Sequence, residues 1–208
     1  MKTFGILGDS YSTFKGYIPE ENHFYYPRPE AVEDVLRVEQ TWWHRLKEKR
    51  GLRLLFNESY SGATVCENIR PDLPEESAFT KRAIQAFGPG KEEKPDIIFL
   101  FGCTNDDWLN RDLGQLQYEN WSTVDLQQIL PAYCYIIHNL KLHNPNAAVV
   151  AIINTELKEE IREGMIRAGE HYGALNVVLC GIDKQNGHPT ALGMEQISRQ
   201  VDAVLDNL

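Results

Sequence analysis

No apolar run in this sequence approaches the ~20 residues that a bilayer-spanning helix requires, so no helical span is predicted. Positive charge is scarce: 21 Lys and Arg stand against 30 Asp and Glu, a net charge of −9. A polyanion has no long-range attraction for phosphate backbones or acidic lipid surfaces, so neither nucleic acid nor a membrane is an expected partner. Cysteine is sparse as well. Cys66, Cys103, Cys134 and Cys180 show no CxxC spacing and no zinc-type pairing with histidines. Reduced, mostly packed thiols are expected, with Cys103 notable for its neighbours. A targeting pattern is also missing: "MKTFGILGDS" has one lysine but neither an apolar region of signal-peptide length nor a small-residue cleavage site. A cytoplasmic chain is the expectation for the sequence as given, with a leader removed before this numbering left open. No repeat, low-complexity tract or linker divides the 208 residues. A single domain over 1–208 is expected, long enough to bury roughly 70% of its unfolded surface.

What the chain does have is short apolar runs in regular alternation with helical patterns. "KTFGIL" (2–7), "LRLLF" (52–56), "PDIIFLFG" (95–102), "AAVVAIIN" (147–154) and "LNVVLCGI" (175–182) each have the length of a strand. They are near-continuously apolar, as strands are when both faces of a parallel sheet are covered. Helices are predicted at 36–50, about 77–87, 123–143, 156–172 and about 190–207, with Gly51 as the C-cap of the first. Such alternation implies right-handed crossovers and a doubly wound α/β sheet. The segment "GYIPEENHFYYPRPEAVED" (16–34) reads as a long irregular loop over one end of the sheet, and loops of that length are usually functional.

Open α/β sheets bind ligands at the carboxyl ends of their strands. Gly8-Asp9-Ser10 follows the first strand, and "NESYSGATVCEN" with Gly62 follows the second. "GCTNDDW", with Asn105, Asp106 and Trp108, follows the third, and "DKQNGHPT", with Asp183 and His188, follows the fifth. Each has an ordinary structural explanation. Gly-Asp-Ser is a common turn or helix start, Gly62 could supply only a positive φ, Asn105 could cap a short helix, and His188 could sit in a surface loop. Four such accidents at four strand ends are a poor explanation of one shared edge. Acyl transfer explains the set: a serine hydroxyl needs an imidazole to take its proton, and the oxyanion needs fixed donors. The Ser10 N–H, the N–H of a glycine and the Asn105 amide are of the right kinds.

"GDSYS", "SYSGATV", "FGCTND" and "DKQNGHPT" together resemble, in order, the four sequence blocks of the SGNH (GDSL-like) hydrolase family. The blocks span residues 8–189, nearly the whole chain. The resemblance implies a flavodoxin-like three-layer α/β/α sandwich with a five-stranded parallel sheet, esterase or lipase-type chemistry, and no cofactor or metal. It assigns the nucleophile to Ser10, the oxyanion donors to Ser10, Gly62 and Asn105, and the base to His188. One position departs from the pattern. The triad aspartate usually stands three residues before the histidine, where this chain has Gln185. Either Asp183 folds back to orient His188, or a main-chain carbonyl does so; Asp183 is the favoured reading.

Aromatic residues near the site, namely Tyr11, Tyr17, the "FYYP" of the 16–34 loop and Trp108, suit sugar rings, so Trp108 and Tyr11 are expected to bind substrate, with packing the competing role for any aromatic. At least one of Trp42 and Trp43 is expected in the core. The substrate expected is a small O-acyl ester, acetyl being the leading case, on a carbohydrate or similar polar alcohol. The lack of a long apolar lid segment counts against a triglyceride lipase. Asp106 and Asp107 lack a third metal ligand at a recognised spacing, so solvation or capping is the reading for them. Two other functions stay open: a flavodoxin-like phosphate- or flavin-binding carrier using Ser10, Ser12 and Thr13, and an inactive glycan-binding relative. Nothing in the sequence assigns an oligomeric state.

Overall fold

Each of the five apolar runs forms a strand in the computed structural model, which describes residues 1–30 and 32–206. The strands are β1 (Thr3–Gly8), β2 (Arg53–Ser59), β3 (Ile97–Phe101), β4 (Ala148–Ile153) and β5 (Leu175–Val178). All neighbours pair in parallel, in the order β2-β1-β3-β4-β5. This is the predicted doubly wound sheet, with the chain reversing direction of growth at β1 and β3.

Alternate side chains on each strand enter opposite cores. Leu7, Ile98, Leu100, Val149 and Ile153 face one side, covered by α2 (Phe79–Phe87), α4 (Ile129–His143) and α5 (Glu159–Tyr172). Phe4, Ile6, Phe99, Phe101, Val150 and Ile152 face the other, covered by α1 (Trp42–Arg50) and α6 (Ala191–Leu205). Burying each such side chain contributes about 1.5–3 kcal/mol, which is why near-continuous apolar runs settle only in a sheet covered on both sides. Both Trp42 and Trp43 are fully buried.

Helix α1 starts at Trp42 rather than at 36, because the Thr41 hydroxyl accepts the His44 N–H (3.3 Å) and caps it there. A separate 3₁₀ turn, Val38–Gln40, occupies the preceding residues. Gly51 ends the helix in the left-handed region (φ 61°), as its residue type predicts. The last turn of α1 is clasped to α6: Lys49 Nζ lies 2.5 Å from Asp202, and Arg50 binds both the Asp202 carboxylate and its carbonyl.

Strand register aligns the functional edge. Gly8, the end of β1, pairs with Ser59 at the end of β2 and with Phe101 at the end of β3. The segments leaving these strands therefore emerge at one level. After β3 comes the short helix α3 (Thr104–Trp108), and after β5 a small hairpin of β6 (Lys184–Gln185) and β7 (His188–Pro189). Residues 16–34 contain no helix or strand among the described residues and run over this edge.

Candidate active site

Ser10 opens a single 3₁₀ turn, Ser10–Ser12, capped by Asp9, whose Oδ1 accepts the Tyr11 N–H (3.0 Å). The turn is fastened from below at Ser12. Its carbonyl accepts from Trp43 Nε1 (3.0 Å) and Asn57 Nδ2 (2.8 Å), and its hydroxyl from Trp42 Nε1 (3.2 Å). Those donors come from α1 and β2, so the tryptophan pair in the core also fixes the turn. Ser10 itself is 3% exposed. The neighbouring Asp9 is fully buried, and burial pushes its carboxyl up to about 7, against the Tyr11 N–H and the nearby Arg82 guanidinium.

The His188 imidazole meets this hydroxyl: Nε2 lies 3.1 Å from Ser10 Oγ. Burial disfavours the charged ring and brings its pKa down to about 4, so at neutral pH it is a free base. A hydroxyl and a neutral imidazole at that separation are placed for proton transfer.

The histidine's other nitrogen corrects a favoured expectation. Nδ1 faces the carbonyl oxygen of Asn186 at 3.2 Å, not a carboxylate. Asp183 is exposed and accepts instead from the Thr190 hydroxyl, while its own N–H donates to Gln196 Oε1 (2.7 Å). The physical reason is the turn between β6 and β7. Asn186 (φ 49°) and Gly187 (φ 76°) both take positive φ, as the tight two-residue hairpin of an Asn-Gly pair requires. That turn aims the Asn186 carbonyl at the ring and sends residue 183 to the far end of the hairpin. Three rings complete the clamp. Tyr25 stacks flat on the imidazole (3.6 Å between centroids, 5° between planes), and the Tyr11 and Trp108 rings stand edge-on to it (5.4 and 5.7 Å).

Tyr11 is the second correction. It is fully buried, with its hydroxyl donating to the Gly187 carbonyl, so it supports the histidine hairpin and presents no surface to a substrate. Trp108, expected as a binding residue, is 45% exposed beside His188.

The three expected oxyanion donors lie on separate segments. The Ser10 N–H opens its turn and has no intrahelical acceptor. Gly62 adopts φ 87°, a conformation that disfavours any side chain, and its N–H makes no hydrogen bond among the described residues. Asn105, 8% exposed, donates one amide hydrogen to the Ala63 carbonyl (2.9 Å) and keeps a second. Asp106, fully buried, joins the last two segments: its carboxylate accepts from Val65 N (2.8 Å) and Cys66 N (3.1 Å). Asp107 accepts from Lys158 N (2.9 Å) and pairs with Lys158 Nζ (3.0 Å), holding α5 against α3. Both acids are therefore structural. Of the cysteines, Cys66, Cys103 and Cys134 are buried and Cys180 is exposed, all free.

The sequence reading missed Asn186, and it took Tyr25 only as one of the aromatics near the site and Asp106 as solvated or capping. An Asn-Gly pair flanked by a strand end is a hairpin signal, and it was there to be used for Asn186. The roles of Tyr25 and Asp106 depend on contacts across the fold and leave no local trace.

A flavodoxin-like doubly wound sheet with a serine–histidine pair and amide donors at its carboxyl edge is the arrangement of a three-layer α/β/α hydrolase. The family described as GDSL-like Lipase/Acylhydrolase matches residues 2–205, and this chain belongs to it. A candidate GDSL-like lipase from Bacteroides uniformis superposes with a TM-score of 0.91 at 40% identity, covering 100% of this chain and 97% of that one. Another from Bacteroides ovatus gives 0.92 at 38%, with 100% and 99% covered. The fold is shared more distantly with a family 2 carbohydrate esterase from Corynascus thermopiles: TM-score 0.63, 15% identity, 99% of this chain and 67% of that chain. Comparison with curated proteins gives no match.

Proposed function

We propose that the protein is a serine esterase that removes a small O-acyl group, acetyl first among them, from a carbohydrate or similar polar alcohol. The observation that carries this is the 3.1 Å approach of Ser10 Oγ to His188 Nε2. In the reaction, Ser10 Oγ attacks the ester carbonyl as its proton passes to His188 Nε2. The resulting oxyanion accepts from the Ser10 and Gly62 N–H groups and the free Asn105 amide hydrogen. Collapse breaks the ester C–O bond, and the imidazolium returns its proton to the leaving alcohol. Water then attacks the acyl-Ser10 carbonyl, giving its proton to His188, and the carboxylic acid leaves with Ser10 restored. Throughout, the Asn186 carbonyl accepts the Nδ1–H and keeps the tautomer that leaves Nε2 free.

For the alcohol, the exposed face of Trp108 beside His188 supports a sugar ring, which can lie flat on an indole. Family 2 carbohydrate esterases on this fold support sugar esters as the first substrates to try. The test is a panel of acetylated sugars and p-nitrophenyl esters of rising chain length, run on wild type and Ser10→Ala with fluorophosphonate labelling. Expected are turnover of acetyl esters, loss of it in Ser10→Ala, and labelling at Ser10. A preference for long acyl chains would overturn the acetyl reading. Sugar binding without turnover or labelling would replace the enzyme by a glycan-binding protein.

A further inference from the structure

With a carbonyl rather than a carboxylate at Nδ1, the imidazolium formed during proton transfer has no ion directly beside it. Glu33, from the 16–34 loop, lies one contact further out. It is 2% exposed, although its neighbours Val32 and Asp34 are exposed. Its Oε1 accepts from the Tyr25 hydroxyl (2.8 Å) and from the Asn186 side-chain amide (3.4 Å). These are the two residues that grip His188, one by its ring and one by its carbonyl. The other oxygen, Oε2, is buried with no partner among the described residues.

We infer that Glu33 is a positioning residue for His188: its carboxylate ties Tyr25 and Asn186 into one clamp and supplies the negative charge that stabilises the imidazolium. A buried carboxylate oxygen with no donor is costly, so this loop glutamate is poorly explained as a stabilising contact. The inference rests on the esterase reading above. It places the missing acid 155 residues before the histidine rather than three.

Other groups also face the ring. Tyr11, Tyr25 and Trp108 contribute neutral rings, the Ser10 hydroxyl and the Asn186 carbonyl contribute dipoles, and Arg28 and Lys184 contribute positive charge that opposes Glu33. Arg28 sits over the outer face of Tyr25 (4.9 Å), and Lys184 is held by Asn154 (2.8 Å) and Glu156 (3.2 Å). Asp183 is turned away to Thr190. Glu33 is thus the acid whose charge favours a protonated ring.

Glu33→Gln keeps the shape and removes the charge. Outer partners that orient a working imidazole at metal sites are worth roughly 10–100-fold, and the indirect link here points to the lower end. The expected result is a kcat lower by about tenfold with KM within about twofold, together with a His188 titration, read by ring-nitrogen NMR, moved to lower pH. Glu33→Asp, which keeps the charge at shorter reach, restores part of both. A wild-type His188 titration and wild-type kcat in Glu33→Gln overturn the inference. Should that variant not fold, the same wild-type values in Glu33→Asp overturn it. The NMR titration needs no turnover. If wild type is neither labelled nor active, the esterase reading fails while the titration still judges Glu33.

Discussion

The two halves of the serine–histidine pair are held by different means. Ser10 belongs to the core: its turn continues β1 and is bonded at Ser12 by two buried tryptophans and Asn57. His188 belongs to a surface hairpin two residues long on each side, and is held by a carbonyl, three rings and the Tyr26 hydroxyl, which donates to Pro189 O (2.8 Å). The position of Ser10 is a consequence of folding the sheet. The position of His188 is set by contacts from three distant parts of the chain.

Four measurements put that contrast to the test. The largest effect is expected at the nucleophile, where Ser10→Ala should lower kcat by about 10⁴-fold or more, with melting temperature unchanged. Residual turnover near wild type would mean that another group carries the reaction. Next, Asn105→Ala should cost about 10²–10³-fold in kcat, the usual effect of removing one oxyanion donor. A circular-dichroism melt would show whether loss of its bond to Ala63 contributes.

Third is the pH profile. Burial lowers the His188 pKa from 6.5 to about 4, and only the neutral ring accepts the serine proton, so activity is present above that pKa and lost as pH falls through it. At pH 5, kcat/KM should hold roughly 90% of its plateau, where an unshifted histidine would leave about 3%. An acid limb centred near 6.5 would show that the ring is more hydrated than its clamp implies. The smallest effect is expected at Asp183, where Asp183→Asn should leave turnover within about twofold of wild type because its carboxylate serves Thr190. A loss of several hundredfold there would restore the acid that the sequence favoured.

The contrast also explains what could be read beforehand. Strands and helices were legible because burial on both sheet faces imposes a pattern on every residue of a run. The shared edge of Ser10, Gly62 and Asn105 was legible for a related reason, each following the end of a strand whose register is set by the core. The orienting partner of His188 was not, because it depends on the backbone direction of Asn186 in a two-residue turn. Tyr11 misled because an aromatic next to a nucleophile looks the same in sequence whether it faces outward or is folded under the hairpin. Residues 16–34 were rightly singled out as a long loop over the sheet's edge, although the stacking of Tyr25 on His188 was not foreseen.

Thr190 accepts the Gly193 N–H (3.1 Å) and starts α6 immediately after the histidine hairpin, and α6 ends on the Asp202 clasp with α1. Since α1 begins with the tryptophans that grip Ser12, the two helices act as one bracket joining hydroxyl and imidazole around the outside of the sheet. That bracket closes at Arg50 and Asp202, beside the amino end of β1 and so at the sheet edge opposite Ser10.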